Sequence, residues 1–280
     1  MKTLGYYNGK YDEIDNMTIP MNDRTNYFGD GVYDAGPCHN YHIFALQEHI
    51  DRFYRSASML KIEIPMEKAD FADLLNEMVH KLDSGDIFVY YQVSRGTADR
   101  NHVFPENTPA NLSIMLRPSV LNPCKEPVQL ITTEDTRFFH CNIKTLNLIP
   151  SVMAAQKAKE AGCFESVFIR PDNRVTECAH SNVHILKDGV FRTAPTDNLI
   201  LPGIARAHLI KACHALNIPV DEHPFTREEL MGADEILTSS SSNICTFADK
   251  IDGVPVGGKD QKRLSQIKDY VFNEFYEETK

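Results

Sequence analysis

Apolar positions along the chain change period several times, and each change predicts an element. Leu46, Ile50, Phe53, Tyr54, Ala57 and Leu60 recur every three or four residues, which predicts an amphipathic helix over about 45–61. Phe71, Leu74, Leu75, Met78, Val79 and Leu82 repeat that spacing for a second helix, stopped near Gly85. Residues 87–94 are rich in β-branched and aromatic side chains and read as a strand, as do 112–116. Arg117-Pro118-Ser119-Val120-Leu121-Asn122-Pro123 then breaks the pattern with two prolines, the signal for an interdomain linker.

Beyond the linker, strands are expected over 128–133, 166–169, 182–186 and 235–237, with helices over 152–161, 203–216 and about 259–279. Asp188-Gly189 between apolar runs signals a hairpin. Thr226-Arg227-Glu228-Glu229 has the spacing of a capping box. Strand and helix signals alternate without repeats, so the fold class is α/β (α+β). The expected domains are 1–118 and 124–280, with 119–123 as linker.

With 280 residues, 42% of them apolar, the chain can bury substantial cores without disulfides. Its 29 basic and 39 acidic residues give a net charge of −10, which excludes a general nucleic-acid binder. No run of residues is apolar enough to span a bilayer and residues 1–15 lack a secretory apolar centre, so no membrane partner and a cytoplasmic location are expected. Seven cysteines without CxxC spacing predict free, mostly buried thiols and no metal site.

Four clusters could carry chemistry. Lys144 lies inside the apolar run 143–148, where a deprotonated amine could form a Schiff base; the simpler reading is a stem packed on apolar surface with its head in water. Glu177, near the strand at 182, could accept a hydrogen bond from a cationic ring nitrogen, or be a solvated turn acid. The helix beginning after Leu201-Pro202-Gly203 offers free N–H groups suited to a phosphate, and the serines of 239–242 could add donors; a plain helix start and polar loop would look the same. Arg95, Arg100 and His102 share one loop after a strand and could grip a carboxylate, or form a solvated basic turn. Together, an amine, a ring acid, a phosphate cradle and a carboxylate trap match the needs of pyridoxal 5'-phosphate and an amino-acid substrate.

The sequence resembles the class IV, or fold-type IV, pyridoxal-phosphate aminotransferases, most nearly those acting on D-amino acids. The matching segments are Asp23-Arg24, Phe28-Gly29-Asp30-Gly31-Val32-Tyr33, Glu48-His49-Ile50-Asp51-Arg52, Arg95 to His102, Phe104 to Thr108, Ile143 to Leu148, Val175-Thr176-Glu177 and Leu201 to Ile204, in the family's order over nearly the whole chain. The resemblance implies a small N-terminal α/β domain and a larger C-terminal pseudo-barrel domain with the cofactor between them. It implies that Lys144 holds the cofactor covalently and moves the substrate proton, and that Glu177 pairs with the pyridine nitrogen. Arg52, the backbone of Ile204 and Ala205, and Ser240 and Ser241 would hold the phosphate. Tyr33, Arg100 and His102 would bind the substrate carboxylate, with the Arg100 loop reaching into the pocket of a second copy in a homodimer.

The activity so implied is ping-pong transamination from D-alanine, D-glutamate or D-aspartate to 2-oxoglutarate or pyruvate. Its rivals are a branched-chain L-amino-acid aminotransferase, an aminodeoxychorismate lyase and a cofactor-binding regulator without turnover. The chain departs from the family pattern at Asp34, Ala35-Gly36-Pro37 and Cys178-Ala179-His180, which bears on the side chain accepted.

Overall fold

The computed structural model describes residues 2–280. They form two compact units, one built from residues 2–121, Ile143–Asn147 and Phe275–Lys280, the other from Asn122–Asn142 and Leu148–Glu274. The division differs from a single cut at 119–123 in two places. The Lys144 segment and the last six residues pack with the first unit, because strand pairing and apolar contacts, unlike linker composition, need not follow chain order.

The first unit contains β1 (Leu4–Tyr7), β2 (Lys10–Asp12), α1 (Arg24–Phe28), β3 (Gly31–His39), β4 (His42–Ile43), α2 (Leu46–Met59), α3 (Lys68–Val79), β5 (Ile87–Ser94) and β6 (Asn111–Pro118). Its antiparallel sheet runs β2-β1-β6-β5-β3-β4. Strict alternation makes β5 two-faced: Ile87, Val89, Tyr91 and Val93 are buried with Ile50, Phe53, Phe71 and Leu75 of the helices in one core, whereas Phe88, Tyr90 and Gln92 are half-buried on the opposite face. The predicted helix periods thus mark the faces that cover the sheet. Lys144 enters this unit through an isolated bridge between Val32 and Thr145.

The second unit contains β7 (Val128–Glu134), α4 (Ile149–Glu160), β8 (Glu165–Ile169), β9 (Val175–Cys178), β10 (Asn182–Lys187), β11 (Val190–Thr193), α5 (Ile204–Ala215), β12 (Val220–Asp221), α6 (Arg227–Met231), β13 (Glu235–Ser239), β14 (Thr246–Ile251), β15 (Val254–Pro255) and α7 (Gln261–Glu278). The order is β12-β11-β10-β13-β14-β7-β8-β9, with β15 beside β14. In a flat sheet β10 and β9, five strand spacings apart in that order, would lie about 24 Å from one another. Only residues 179–181 join them, a span of at most about 14 Å. The sheet therefore curls into a half-barrel, and Glu177 on β9 comes back beside Asn182 on β10.

Local signals act as expected. Asp188 and Gly189 adopt φ of 50° and 79° between β10 and β11, the left-handed pair that a tight hairpin needs. Thr226 and Glu229 cap α6 reciprocally. All seven cysteines are free, and Cys38, Cys178, Cys213 and Cys245 are buried. Among the described residues, no helix is long and apolar enough to cross a membrane.

Candidate active site

In the first unit, the Lys144 carbonyl accepts a 2.9 Å hydrogen bond from the Tyr33 amide, and the Ser56 hydroxyl accepts one of 3.3 Å from the Lys144 amide. These bonds fix the backbone of a half-buried lysine whose Nζ lies 4.4 Å from the Tyr33 ring centroid. Among the described residues Nζ has no carboxylate partner, so the amine is not committed to an ion pair. Tyr33 stacks in turn on Tyr90, with centroids 5.4 Å apart, and the Tyr90 hydroxyl donates to Gln92 Oε1 at 3.0 Å. Burial pushes the Tyr90 phenol far up, so it remains a neutral donor.

Arg52 lies in the same unit, on the buried face of α2. Its Nε and Nη2 each donate to Asp34 at 2.8 Å, and Asp34 Oδ1 is 2.7 Å from His49 Nδ1. Burial alone would raise the Asp34 carboxyl, but the Arg52 charge and the His49 bond outweigh it and hold the group well below the usual range. Burial also lowers His49, against the Asp34 bond. Asp34, noted in the sequence only as a departure, is thus the anchor of Arg52.

Arg100 and His102 are exposed on the loop after β5, and both lie against Phe28: the guanidinium carbon is 5.2 Å and the imidazole centroid 5.1 Å from its ring centroid. The first unit therefore brings Arg100 and His102 together, and Lys144 to Tyr33.

In the second unit, Glu177 is a strand residue and only 6% exposed, which overturns the solvated-turn reading. Its Oε1 accepts from Arg137, and its Oε2 from Asn182 Nδ2 at 2.9 Å and the Leu201 amide at 3.0 Å. Burial pushes the carboxyl up and Arg137 opposes it. Arg137 also binds Asp135, through Nε and Nη2 at 2.9 Å each. Sequence reasoning missed Asp135, Arg137 and Asn182. The available signal was a pair of opposite charges directly after the strand at 128–134.

Asn182 connects Glu177 to the start of α5, since its Nδ2 also donates to the Leu201 carbonyl at 3.0 Å. Gly203 is the N-cap and supplies no side-chain bond to the first turn, leaving the amides of Ile204 and Ala205 suited to an anion. A Cβ at Gly203 would meet Asn182 Oδ1 at 2.1 Å, so only glycine permits this approach. Asn182 pairs with Ser239 across β10 and β13, which sets the turn carrying Ser240 and Ser241 at the same strand ends. Buried His184 bridges Thr193 (2.9 Å) and Ser239 (2.8 Å), and burial holds it neutral. His180 lies against buried Glu165, which accepts from the His180 amide and from Ser181 Oγ at 2.6 Å each.

These donor sets fit pyridoxal phosphate. The buried Glu177 carboxylate is what a protonated ring nitrogen requires, and the uncapped start of α5 with the Ser240 turn offers amides and hydroxyls to a phosphate. The amine of Lys144 is of the type that condenses with an aldehyde.

The sequence profile of the class IV aminotransferases matches residues 31–251. A D-alanine aminotransferase of Listeria monocytogenes is 38% identical over 280 residues, covering 98% of this chain and 96% of that one. One from Bacillus licheniformis is 36% identical over 260 residues, covering 92% and 90%. The fold is shared with the branched-chain aminotransferase of Escherichia coli, at a TM-score of 0.88 and 21% identity over 100% of this chain and 96% of that one. A putative 4-amino-4-deoxychorismate lyase of Legionella pneumophila has the same fold, with a TM-score of 0.83 and 20% identity over 93% and 97%.

Proposed function

Because this chain belongs to the class IV aminotransferase family, we propose that it is a fold-type IV enzyme moving the amino group of a D-amino acid to a 2-oxo acid, with pyridoxal 5'-phosphate as cofactor. D-Alanine, D-glutamate and D-aspartate are the proposed donors, and pyruvate and 2-oxoglutarate the acceptors. The observation that carries the reading is the Lys144 amine, held over Tyr33 and free of any anionic partner among the described residues.

Bound pyridoxal phosphate supplies an electron-withdrawing ring that stabilises the negative charge left when the substrate Cα–H bond breaks. The protein's own groups do the rest. Lys144 Nζ takes the Cα proton and returns it, and Glu177 keeps the ring nitrogen protonated. Arg137 and Asn182 hold Glu177 in place and aimed, and the Arg137 charge opposes the upward push of burial on its carboxyl. Arg52, the amides of Ile204 and Ala205, and the hydroxyls of Ser240 and Ser241 bind the phosphate. Tyr33, Arg100 and His102 hold the substrate carboxylate and so set which face of Cα meets the amine.

We place Arg100 and His102 in the pocket of a second copy, which makes the working form a homodimer. Support comes from their exposure in the single chain beside the exposed Val103 and Phe104, a charged and apolar surface fit for a partner.

Reaction of the loaded enzyme with single amino acids tests the proposal. The absorbance of the bound aldehyde form should fade with D-alanine or D-glutamate alone and return on adding pyruvate or 2-oxoglutarate. Fading with L-leucine and not D-alanine would replace the reading with the branched-chain activity. Release of pyruvate from aminodeoxychorismate would replace it with the lyase.

A further inference from the structure

Arg100 and His102 are long or mobile side chains on an exposed loop, yet a carboxylate trap works only if its donors are already in place when substrate arrives. Among the described residues neither side chain makes a hydrogen bond or an ion pair. What they share is one ring. Phe28 has the Arg100 guanidinium carbon 5.2 Å from its centroid, the His102 ring at 5.1 Å and a tilt of 49°, and the Arg24 guanidinium carbon at 4.9 Å.

The ring is itself well fixed. It ends α1, whose first turn is capped by Asp23 through Thr25 N, and whose last is closed by Gly29 at φ 59°. The Gly29 carbonyl accepts from Asn147 Nδ2 at 2.9 Å. Arg24 also has hydrogen-bond partners: its Nε donates to Asp30 at 2.7 Å and its Nη1 to the Asn101 carbonyl at 2.6 Å, inside the loop. Asp30 also takes Arg95, at 2.9 to 3.1 Å. The start of the loop is tied to residues 22–24 by Arg24 N to Gly96 O (3.0 Å) and Ala98 N to Asn22 O (3.1 Å). The loop backbone is therefore anchored by Arg24, Asp30 and Arg95, while the charge of Arg100 is left unspent for a ligand.

We propose that Phe28 is a positioning residue for the substrate carboxylate, its ring holding Arg100 and His102 in the pose that receives an α-carboxylate. The proposal rests on the carboxylate-binding role given above to those two residues. Phe28 acts through Arg100 and His102, by removing the rotamer freedom that they would otherwise lose on binding.

Steady-state kinetics of the loaded enzyme test it, using D-alanine and, as a donor without a carboxylate, 1-phenylethylamine. Phe28→Leu should raise KM for D-alanine about fivefold, the scale of losing exposed cation–ring contacts. Its kcat and cofactor absorbance should stay put, as should whatever rate the carboxylate-free amine supports. Phe28→Met, with similar bulk and no ring, should behave alike, and Phe28→Tyr should restore wild-type KM. If KM is unchanged in both Phe28→Leu and Phe28→Met while Arg100→Ala raises it, the positioning role is overturned alone. If Arg100→Ala also leaves KM unchanged, the carboxylate reading falls and the positioning role with it. A rise in KM equal in Phe28→Tyr and Phe28→Leu would overturn it too, because the ring face would not be what matters.

Discussion

Asp34 and Arg52 are joined by two parallel 2.8 Å hydrogen bonds, with the carboxylate 0% and the guanidinium 3% exposed. Removing one member of such a pair leaves the other charge buried and uncompensated. Asp34→Ala should cost about 3 kcal/mol of folding stability in chemical denaturation. It should also weaken phosphate binding by releasing Arg52. An unchanged midpoint would mean that another acceptor takes over the guanidinium.

The same pair sets a pH dependence. The native carboxyl of Asp34 is held well below its usual range, so its contribution is complete above the unfolded-chain value of about 3.9. It is lost as pH falls from there toward the lower native value. The stability gap between wild type and Asp34→Asn should thus be constant from pH 7 to 5 and shrink below about pH 4. A gap that shrinks already between pH 7 and 5 would point to His49 instead.

Lys144→Ala should abolish the adduct that borohydride fixes between protein and cofactor; an adduct that survives would show that another lysine is used. Mixing that variant with Arg100→Ala separates the two placements of the carboxylate loop. If Arg100 serves a second copy, mixed dimers regain one complete site and activity returns. If it serves its own chain, every site stays defective.

Glu177→Gln removes the charge that Arg137 and Asn182 hold in place. Loss of such a pre-aimed electrostatic partner typically costs at least about a hundredfold in rate. Stopped-flow mixing with D-alanine should show that drop in α-proton removal, with a full primary isotope effect. A wild-type rate would remove Glu177 from the chemistry.

Gly203→Ala would push a methyl to 2.1 Å from Asn182 Oδ1. Asn182 must move, so Glu177 and Leu201 lose their shared donor. The expected costs are about 2 kcal/mol in stability, as for other overpacked sites, and weaker cofactor retention on dialysis. Equal stability together with full retention would show that the α5 start tolerates a side chain.

What the sequence made legible was local. The apolar spacing of Leu46 to Leu60 sets α2, Thr226 and Glu229 close a cap three residues apart, and Asp188-Gly189 needs only its own backbone to turn. Lys144, Glu177 and Arg100 stood out through short motifs. The missing parts were non-local. Arg137 meets Glu177 across 40 residues, and Asp34 meets Arg52 across 18, pairings that only strand order and helix packing create. Strand β3 also escaped notice: it is buried on both faces and carries Gly31, Gly36 and Pro37, so neither alternation nor propensity marks it.

The division of the chain has a practical corollary for protein engineering. The polypeptide passes from one unit to the other after Leu121, Asn142, Asn147 and Glu274. A gene cut at the proline-rich joint would yield a first fragment lacking both Lys144 and the Thr145 bridge to Val32. Each half would lack segments that pack in its own unit or carry segments that belong to the other, so grafts between relatives should exchange residues 143–147 and 275–280 together with the N-terminal part.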